Sequence, residues 1–179
     1  MRSFVAIEMP APVVRDLARL QAAIPFGRIV APENLHLTLT FLGDQSEAML
    51  EEVHFALETL RLQSFDLTLS GLATFGDPPR SLHAGVQASP ALIDLQSRVR
   101  SRLHGIGLPG ERRRFAPHVT LARFGKGATP DEVGRLGRFL AAHGDLRLPP
   151  ARITGFGLYE SILTEEGPYY ELLSSYPLG

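Results

Sequence analysis

The chain has 179 residues, of which 44% are hydrophobic and 21% are charged, and its formal net charge is -1. These values are typical of an ordinary globular protein and give no overall basic field that would draw the chain onto long duplex nucleic acid. The absence of cysteine excludes disulfides, thiolate metal sites and a cysteine nucleophile, and it agrees with a cytoplasmic location. Because no stretch approaches the roughly 20 apolar residues of a membrane span, we expect no transmembrane segment.

The first half of the chain shows the apolar spacing of alternating strands and helices. "RSFVAIEM" alternates like a strand, and apolar residues at helical spacing follow in "VVRDLARLQAAI". A second strand, "LHLTLTFL", leads into a helix expected from about Gln45 to Leu60, with Asp44 as its N-cap and Glu47 completing a capping box. "FDLTLSGLATF" and "SLHAGVQ", separated by the turn "GDPPR", predict an antiparallel hairpin.

The second half repeats this order of elements. Ser89 and Pro90 begin a helix that runs through "ALIDLQSRVRSRLHGIG", "HVTLARF" follows as a strand, and Thr129 with Glu132 forms the capping box of the next helix. "ARITGFGLYESIL" and "PYYELLSSYPL" predict two closing strands. Each half therefore has the order helix, strand, helix, strand, strand.

The central strands of the two halves carry the same motif. "LHLTLTFLG" and "PHVTLARFG" share His, Thr and Leu at fixed offsets, and each has a phenylalanine and a glycine near its end. This duplication predicts one bilobal domain over residues 1–179, with halves of about 10–88 and 89–176.

The motif places its polar side chains on one face of each strand. Residues two apart in a strand point to the same face, so His36 lies beside Thr38, and His118 lies beside Thr120. The intervening leucines and valine face the core. If the two halves pack about an approximate twofold axis, both polar pairs line a single cleft.

Two imidazoles and two hydroxyls in one cleft suit the cleavage of a phosphodiester. A neutral histidine can take a proton from the nucleophile while a protonated histidine gives one to the leaving group, and an ordinary pKa of about 6.5 suits both tasks. The hydroxyls can donate hydrogen bonds to phosphate oxygens. The alternatives are solvent-facing pairs without function and a metal site, but neither strand carries an Asp, Glu or Cys beside its histidine as a third ligand.

The motifs "FVAIEMP", "HLTLTFLG" and "APHVTLARF" resemble those of the RNA 2′,3′-cyclic phosphodiesterase family, also called 2′-5′ RNA ligases, within the two-histidine phosphoesterase superfamily. The resemblance runs from the first strand to the closing "YYELLSSYPL". It implies an α+β bilobal fold in which two mostly antiparallel sheets, related by a pseudo-twofold, face a central cleft, with the helices outside.

The resemblance also implies an activity and its substrates. The expected reaction is metal-independent hydrolysis of an RNA 2′,3′-cyclic phosphate to a 2′-phosphate, with no cofactor. ATP-independent 2′-5′ joining of RNA is the same chemistry in the reverse sense, with an RNA 5′-hydroxyl in place of water. The expected partners are RNA with 2′,3′-cyclic phosphate ends or cyclic nucleotides, without an obligate protein partner.

The same resemblance assigns roles to the motif residues. His36 is the expected proton donor to the departing 3′ oxygen, and His118 is the expected base that activates water. Thr38 and Thr120 are expected to hold phosphate oxygens.

Three further positions are candidates for contact with the substrate. By the same resemblance, Arg123 matches the arginine that the family places after its second motif, where it is thought to hold phosphate. Its offset of five from His118 requires a bulge or strand twist near Gly125 to bring it to the cleft. The alternative is that Arg123 forms a surface ion pair. Phe41 is the corresponding position in the first strand, where a ring stacks on a base or packs in the core. His83 lies on the polar side of "SLHAGV", either at the cleft border or as an exposed strand histidine.

One basic cluster precedes the second motif. Arg112, Arg113 and Arg114 in "GERRRF" either meet the RNA backbone beyond the cyclic end or form a solvated loop. Two other functions stay open at this point. One is a module that binds nucleotides or RNA ends in the same cleft without turnover, and the other is metal-dependent hydrolysis.

Overall fold

The computed structural model describes every residue, Met1–Gly179, and contains four α-helices and ten β-strands. The helices are α1 (Ala11–Gln21), α2 (Glu47–Glu58), α3 (Pro90–Gly105) and α4 (Pro130–His143). The strands are β1 (Arg2–Glu8), β2 (Arg28–Ile29), β3 (His36–Asp44), β4 (Phe65–Leu67), β5 (Leu69–Phe75), β6 (Ser81–Val86), β7 (His118–Arg123), β8 (Ala151–Ile153), β9 (Gly155–Thr164) and β10 (Gly167–Pro177).

The strands form one large and one small antiparallel sheet. The large sheet has eight strands in the order β10-β9-β1-β3-β7-β6-β5, with β2 pairing with β7, and the small sheet contains β4 and β8. The two motif strands, β3 and β7, are neighbours at the centre and are joined through Leu37 and Val119. The structure therefore confirms the α+β fold with antiparallel sheets and brings the two motifs side by side.

Sheet pairing crosses between the two halves of the sequence. The hairpin of β5 and β6, from the first half, extends the sheet from β7, while β9 and β10, from the second half, extend it from β1. The repeated element order is present, but β7 lies between β3 and β6 of the first half, and β3 lies between β1 and β7. The division into halves of about 10–88 and 89–176 and the pseudo-twofold stay predictions.

The core lies on the face of the sheet opposite the polar motif side chains. Leu35, Leu37 and Leu39 at the first motif, and Val119 and Leu121 in β7, are at most 3% exposed. They belong to one cluster of 35 buried residues, to which every helix contributes. The predicted inward face of both motif strands is confirmed, and the histidines and threonines lie on the other face.

The helix starts follow their capping residues, with one correction. Ser46, not Asp44, is the N-cap of α2, because its side chain accepts a hydrogen bond from the Met49 amide at 3.1 Å. Asp44 ends β3, where it pairs with Arg2 of β1, so the strand continues past the predicted cap. The predicted start of α3 at Ser89 and Pro90 and the capping box at the start of α4 are confirmed.

Two predicted strands are each divided between the two sheets. "FDLTLSGLATF" contains β4, which pairs with β8, and then β5, which pairs with β6 as the predicted hairpin. "ARITGFGLYESIL" is likewise broken at Thr154, between β8 and β9.

No helix in the structure is both long and apolar enough to cross a lipid bilayer.

Candidate active site

A β-bulge in β7 turns Arg123 toward the face that carries the second motif. Along β6, Leu82 pairs with Ala122 and His83 pairs with Thr120, so one residue of β7 is skipped. Leu121 and Ala122 are both buried, which breaks the alternation of buried and exposed residues. Arg123 consequently lies on the same face as Thr120. The predicted bulge exists, just ahead of Gly125.

β3 has the same irregularity at the same distance from its histidine. Along β1, Val5 pairs with Thr40 and Ala6 pairs with Thr38, so Leu39 is skipped. Leu39 and Thr40 are both buried, and Phe41 emerges 52% exposed on the histidine face. The interpretation of this phenylalanine as a core residue is therefore wrong.

All six predicted site residues line one open cleft of about 620 Å³. They come from the two adjacent motif strands and comprise His36, Thr38, Phe41, His118, Thr120 and Arg123. The duplicated motif thus forms a single site on the polar face of the central strands.

In each motif histidine, Nδ1 forms a hydrogen bond with the backbone carbonyl of the residue two positions earlier. His36 Nδ1 donates to the Asn34 carbonyl at 2.6 Å, and His118 Nδ1 donates to the Ala116 carbonyl at 2.9 Å. Because a carbonyl oxygen can only accept, Nδ1 carries the hydrogen in both rings. In the neutral form of both rings, Nε2 is therefore the nitrogen that carries no hydrogen.

The ring of His36 is enclosed by aromatic side chains. Its centroid lies 5.1 Å from that of Phe4 and 5.0 Å from that of Tyr170, and Thr38 Oγ1 lies 3.0 Å from Nε2. Burial lowers the pKa of His36; the hydrogen bond to Asn34 acts against this, and the positive charges of Arg123 and His118 lower the pKa further. The neutral form of His36 is thus favoured in the ligand-free protein.

A third histidine lies against the second motif. His83 is only 7% exposed, and its centroid lies 4.1 Å from Phe75 and 5.0 Å from His118. The interpretation of His83 as an exposed strand residue is wrong, because the Phe75 ring stacks on it from the neighbouring strand. Its buried Nδ1 has no hydrogen-bond partner. An uncompensated buried nitrogen favours the neutral ring, which leaves His118 without a second positive charge beside it.

The buried histidine gives a testable pH dependence of stability. Burial and the charge of His118 lower the pKa of His83 to about 4, below its ordinary value of 6.5, so the unfolded chain binds more protons between these values. The free energy of unfolding therefore falls as the pH falls through this window, and this histidine adds no such loss above it.

We expect His83→Phe to reduce the stability loss between pH 6.5 and pH 4. The expected difference from the wild type is on the order of 2 kcal/mol, less than the full shift implies because part of the titration of each state lies outside this pH window. Urea denaturation of both proteins at both pH values measures it. Equal losses in the two proteins would contradict this account of His83.

Arg123 is available for an anionic ligand. Its side chain is exposed and lines the cleft, and it forms none of the four ion pairs in the structure. The alternative interpretation of Arg123 as half of a surface ion pair is wrong, since no carboxylate oxygen lies within 4.0 Å of its guanidinium.

Several cleft residues lie outside the two histidine motifs and were not predicted as site residues. Phe4 pairs with Phe41 across β1 and β3, and Tyr170 reaches His36 from β10, two strands beyond β1. Hydrophobic alternation marks the strand of Phe4, but only the sheet order brings Tyr170 to the site. Nowhere does the structure group three or more His, Cys, Asp or Glu side chains as a metal site would need.

Comparison with known proteins agrees with this geometry. The family model described as the 2′-5′ RNA ligase superfamily matches residues 9–155, which include both motif strands. The chain belongs to the 2′-5′ RNA ligase superfamily. Within it, the chain is 34% identical to the RNA 2′,3′-cyclic phosphodiesterase of Aeropyrum pernix, over 90% of this chain and 94% of that protein.

Solved crystal structures share the fold over the whole chain. A crystal structure from Thermus thermophilus superposes with a TM-score of 0.83 at 28% identity, covering 99% of this chain and 97% of the other. Escherichia coli LigT complexed with 3′-AMP superposes with a TM-score of 0.78 at 28% identity, with the same coverage. The superfamily fold is therefore present from β1 to β10.

Proposed function

We propose that this member of the 2′-5′ RNA ligase superfamily hydrolyses 2′,3′-cyclic phosphodiester ends of RNA to 2′-phosphomonoesters. The observation that carries the proposal is that both histidine motifs line one cleft, with Nδ1 of each ring bonded to a backbone carbonyl and Nε2 left for proton transfer. The relatives named RNA 2′,3′-cyclic phosphodiesterase support the choice of substrate. The structure of Escherichia coli LigT complexed with 3′-AMP supports a nucleotide as the kind of ligand.

The proposed reaction is a single displacement at phosphorus. His118 Nε2 takes a proton from water, the water oxygen forms a bond to phosphorus, and the bond from phosphorus to the 3′ oxygen breaks. His36 Nε2–H gives its proton to the departing 3′ oxygen, so the phosphate stays on the 2′ oxygen. The Thr38 and Thr120 hydroxyls donate hydrogen bonds to the non-bridging oxygens, whose negative charge grows in the transition state.

The proposed donor role of His36 depends on the substrate. In the ligand-free protein, burial lowers the pKa of His36, which disfavours the protonated form that a donor needs. A bound phosphodiester brings a negative charge next to this ring and raises its pKa again. The bound substrate would thus favour protonation of His36, the proposed acid. His118 on the neighbouring strand remains the proposed base.

Arg123 and Phe41 complete the proposed site. Arg123 would bind a phosphate oxygen, since its guanidinium is exposed at the cleft and has no carboxylate partner. Phe41, 52% exposed at the equivalent position of β3, would stack on the terminal base. In the ligation sense, an RNA 5′-hydroxyl would take the place of water at the same phosphorus.

The test is hydrolysis in the presence of a chelator. The purified protein with EDTA is incubated with an RNA that ends in a 2′,3′-cyclic phosphate, and the product isomer is identified by chromatography against both standards. We expect the 2′-phosphate at an undiminished rate. Tight binding without product would instead support a non-catalytic binding module, and activity that returns only with a divalent ion would support metal-dependent hydrolysis.

A further inference from the structure

A second pocket opens directly beside the cleft that holds the two motifs. It has a volume of about 420 Å³, and three arginines line it: Arg100, Arg113 and Arg114. We call it the arginine pocket. It shares Thr38 and His118 with the cleft, so the two spaces adjoin at the proposed position of the phosphate.

The arginine pocket carries a net positive charge. None of its arginines forms an ion pair, and Glu111 is the one acidic residue in its lining. Arg100 in α3 donates to the Glu111 backbone carbonyl at 3.4 Å, which ties the arginine-bearing loop to the helix. Such a set of exposed guanidinium groups favours an anion, and a phosphodiester is the anion that their planar donors match.

Two exposed rings lie where the cleft meets the arginine pocket. Phe41 is 52% exposed and Phe75 is 44% exposed, and both line the two spaces. Exposed aromatic rings beside a basic surface are the features with which proteins bind single-stranded RNA, by stacking on bases while cations contact the backbone.

The chemistry of a cyclic end sets the direction of any longer chain. The last nucleotide uses both its 2′ and its 3′ oxygen for the cyclic phosphate, so the strand continues only through its 5′ oxygen. A phosphodiester on that side must lie near the cleft, one nucleoside away from the reacting phosphorus.

We infer that the arginine pocket is a subsite for the phosphodiester on the 5′ side of the terminal nucleotide, which makes RNA oligonucleotides better substrates than cyclic mononucleotides. The inference rests on the proposed function. Arg113 and Arg114 contact the added phosphate, and Arg100 holds the loop and adds charge. Arg112, in the same exposed loop, does not line the pocket and supplies a matched control.

The experiment compares two substrates across four proteins. The value of kcat/KM is measured for a cyclic mononucleotide and for a tetranucleotide with a cyclic end, using wild type, Arg113→Ala/Arg114→Ala, Arg100→Ala and Arg112→Ala. We expect the wild type to prefer the tetranucleotide, the double variant to lose about 10-fold of that preference, and Arg112→Ala to keep it. The salt dependence of log kcat/KM for the tetranucleotide should become shallower by about 0.7 per lost phosphate contact.

If the double variant keeps the wild-type preference for the tetranucleotide, the inference is overturned. It is also overturned if Arg112→Ala loses as much of this preference as the double variant, because the effect would then come from the overall charge of the loop. If the wild type hydrolyses neither substrate, the proposed function fails instead. Binding of a fluorescent tetranucleotide with a 2′-phosphate end then decides the subsite by itself. A roughly 10-fold weaker Kd in the double variant alone supports it, and equal Kd values refute it.

Discussion

His36→Ala and His118→Ala are each expected to lower kcat for an RNA 2′,3′-cyclic phosphate by about 10²- to 10⁴-fold, the usual contribution of a general acid or base. Each substitution removes one of the two Nε2 atoms that have no backbone partner in the shared cleft. Both rings lie on the open face of the sheet and are only partly buried, so the variants should fold. Steady-state hydrolysis and circular dichroism measure the two effects.

The two variants should differ on a substrate that needs no acid. If sulfur replaces the bridging 3′ oxygen, the leaving thiolate requires little protonation, so only the base remains essential. We expect this substrate to restore much of the activity of His36→Ala and little of that of His118→Ala. The reverse pattern would exchange the proposed roles of acid and base.

A histidine away from the cleft supplies the control for these variants. His104 lies exposed on α3 and lines neither the cleft nor the arginine pocket. His104→Ala should keep the wild-type kcat. If His36→Ala and His118→Ala both keep the wild-type kcat, the paired-histidine mechanism is ruled out.

Thr38→Val and Thr120→Val are expected to lower kcat by about 10²-fold each, the effect of losing one hydrogen-bond donor to a developing oxyanion. Valine keeps the shape of threonine and removes only the hydroxyl. The loss should be larger for Thr38, because its Oγ1 also lies 3.0 Å from His36 Nε2. Steady-state kinetics separate kcat from KM for each variant.

Serine at the same positions is the matched control. Thr38→Ser and Thr120→Ser retain a hydroxyl at the cleft and should recover most of the activity that valine removes. If the valine variants keep wild-type kcat, or if serine is as damaging as valine, hydrogen bonding by these hydroxyls is not part of the reaction.

Local periodicity in the sequence determines much of this site. The alternation in "HLTL" and "HVTL" separates the inward leucines and valine from the outward histidines and threonines, and the burial of Leu37 and Val119 confirms it. The duplication also predicts one shared cleft, and the pairing of these two residues across β3 and β7 puts both motifs there. These features follow from side chains two residues apart, so a single sequence is enough to find them.

The features that the sequence does not predict depend on residues that are distant along the chain. The N-cap of α2 shifts from Asp44 to Ser46 because β3 continues its pairing with β1. His83 is buried because Phe75 stacks on it from the neighbouring strand. Phe41 is exposed because the bulge in β3 is set by its register against β1. None of these outcomes is encoded in the few residues around the position itself.

The central claim is that His36 and His118 flank one phosphorus atom, and a crystal structure with the product analogue adenosine 2′-monophosphate tests it most directly. We expect the phosphate between the two rings, with its oxygens within hydrogen-bond distance of both Nε2 atoms and both threonine hydroxyls. A phosphate bound at only one of the two strands, or at a distance from both rings, would contradict the account.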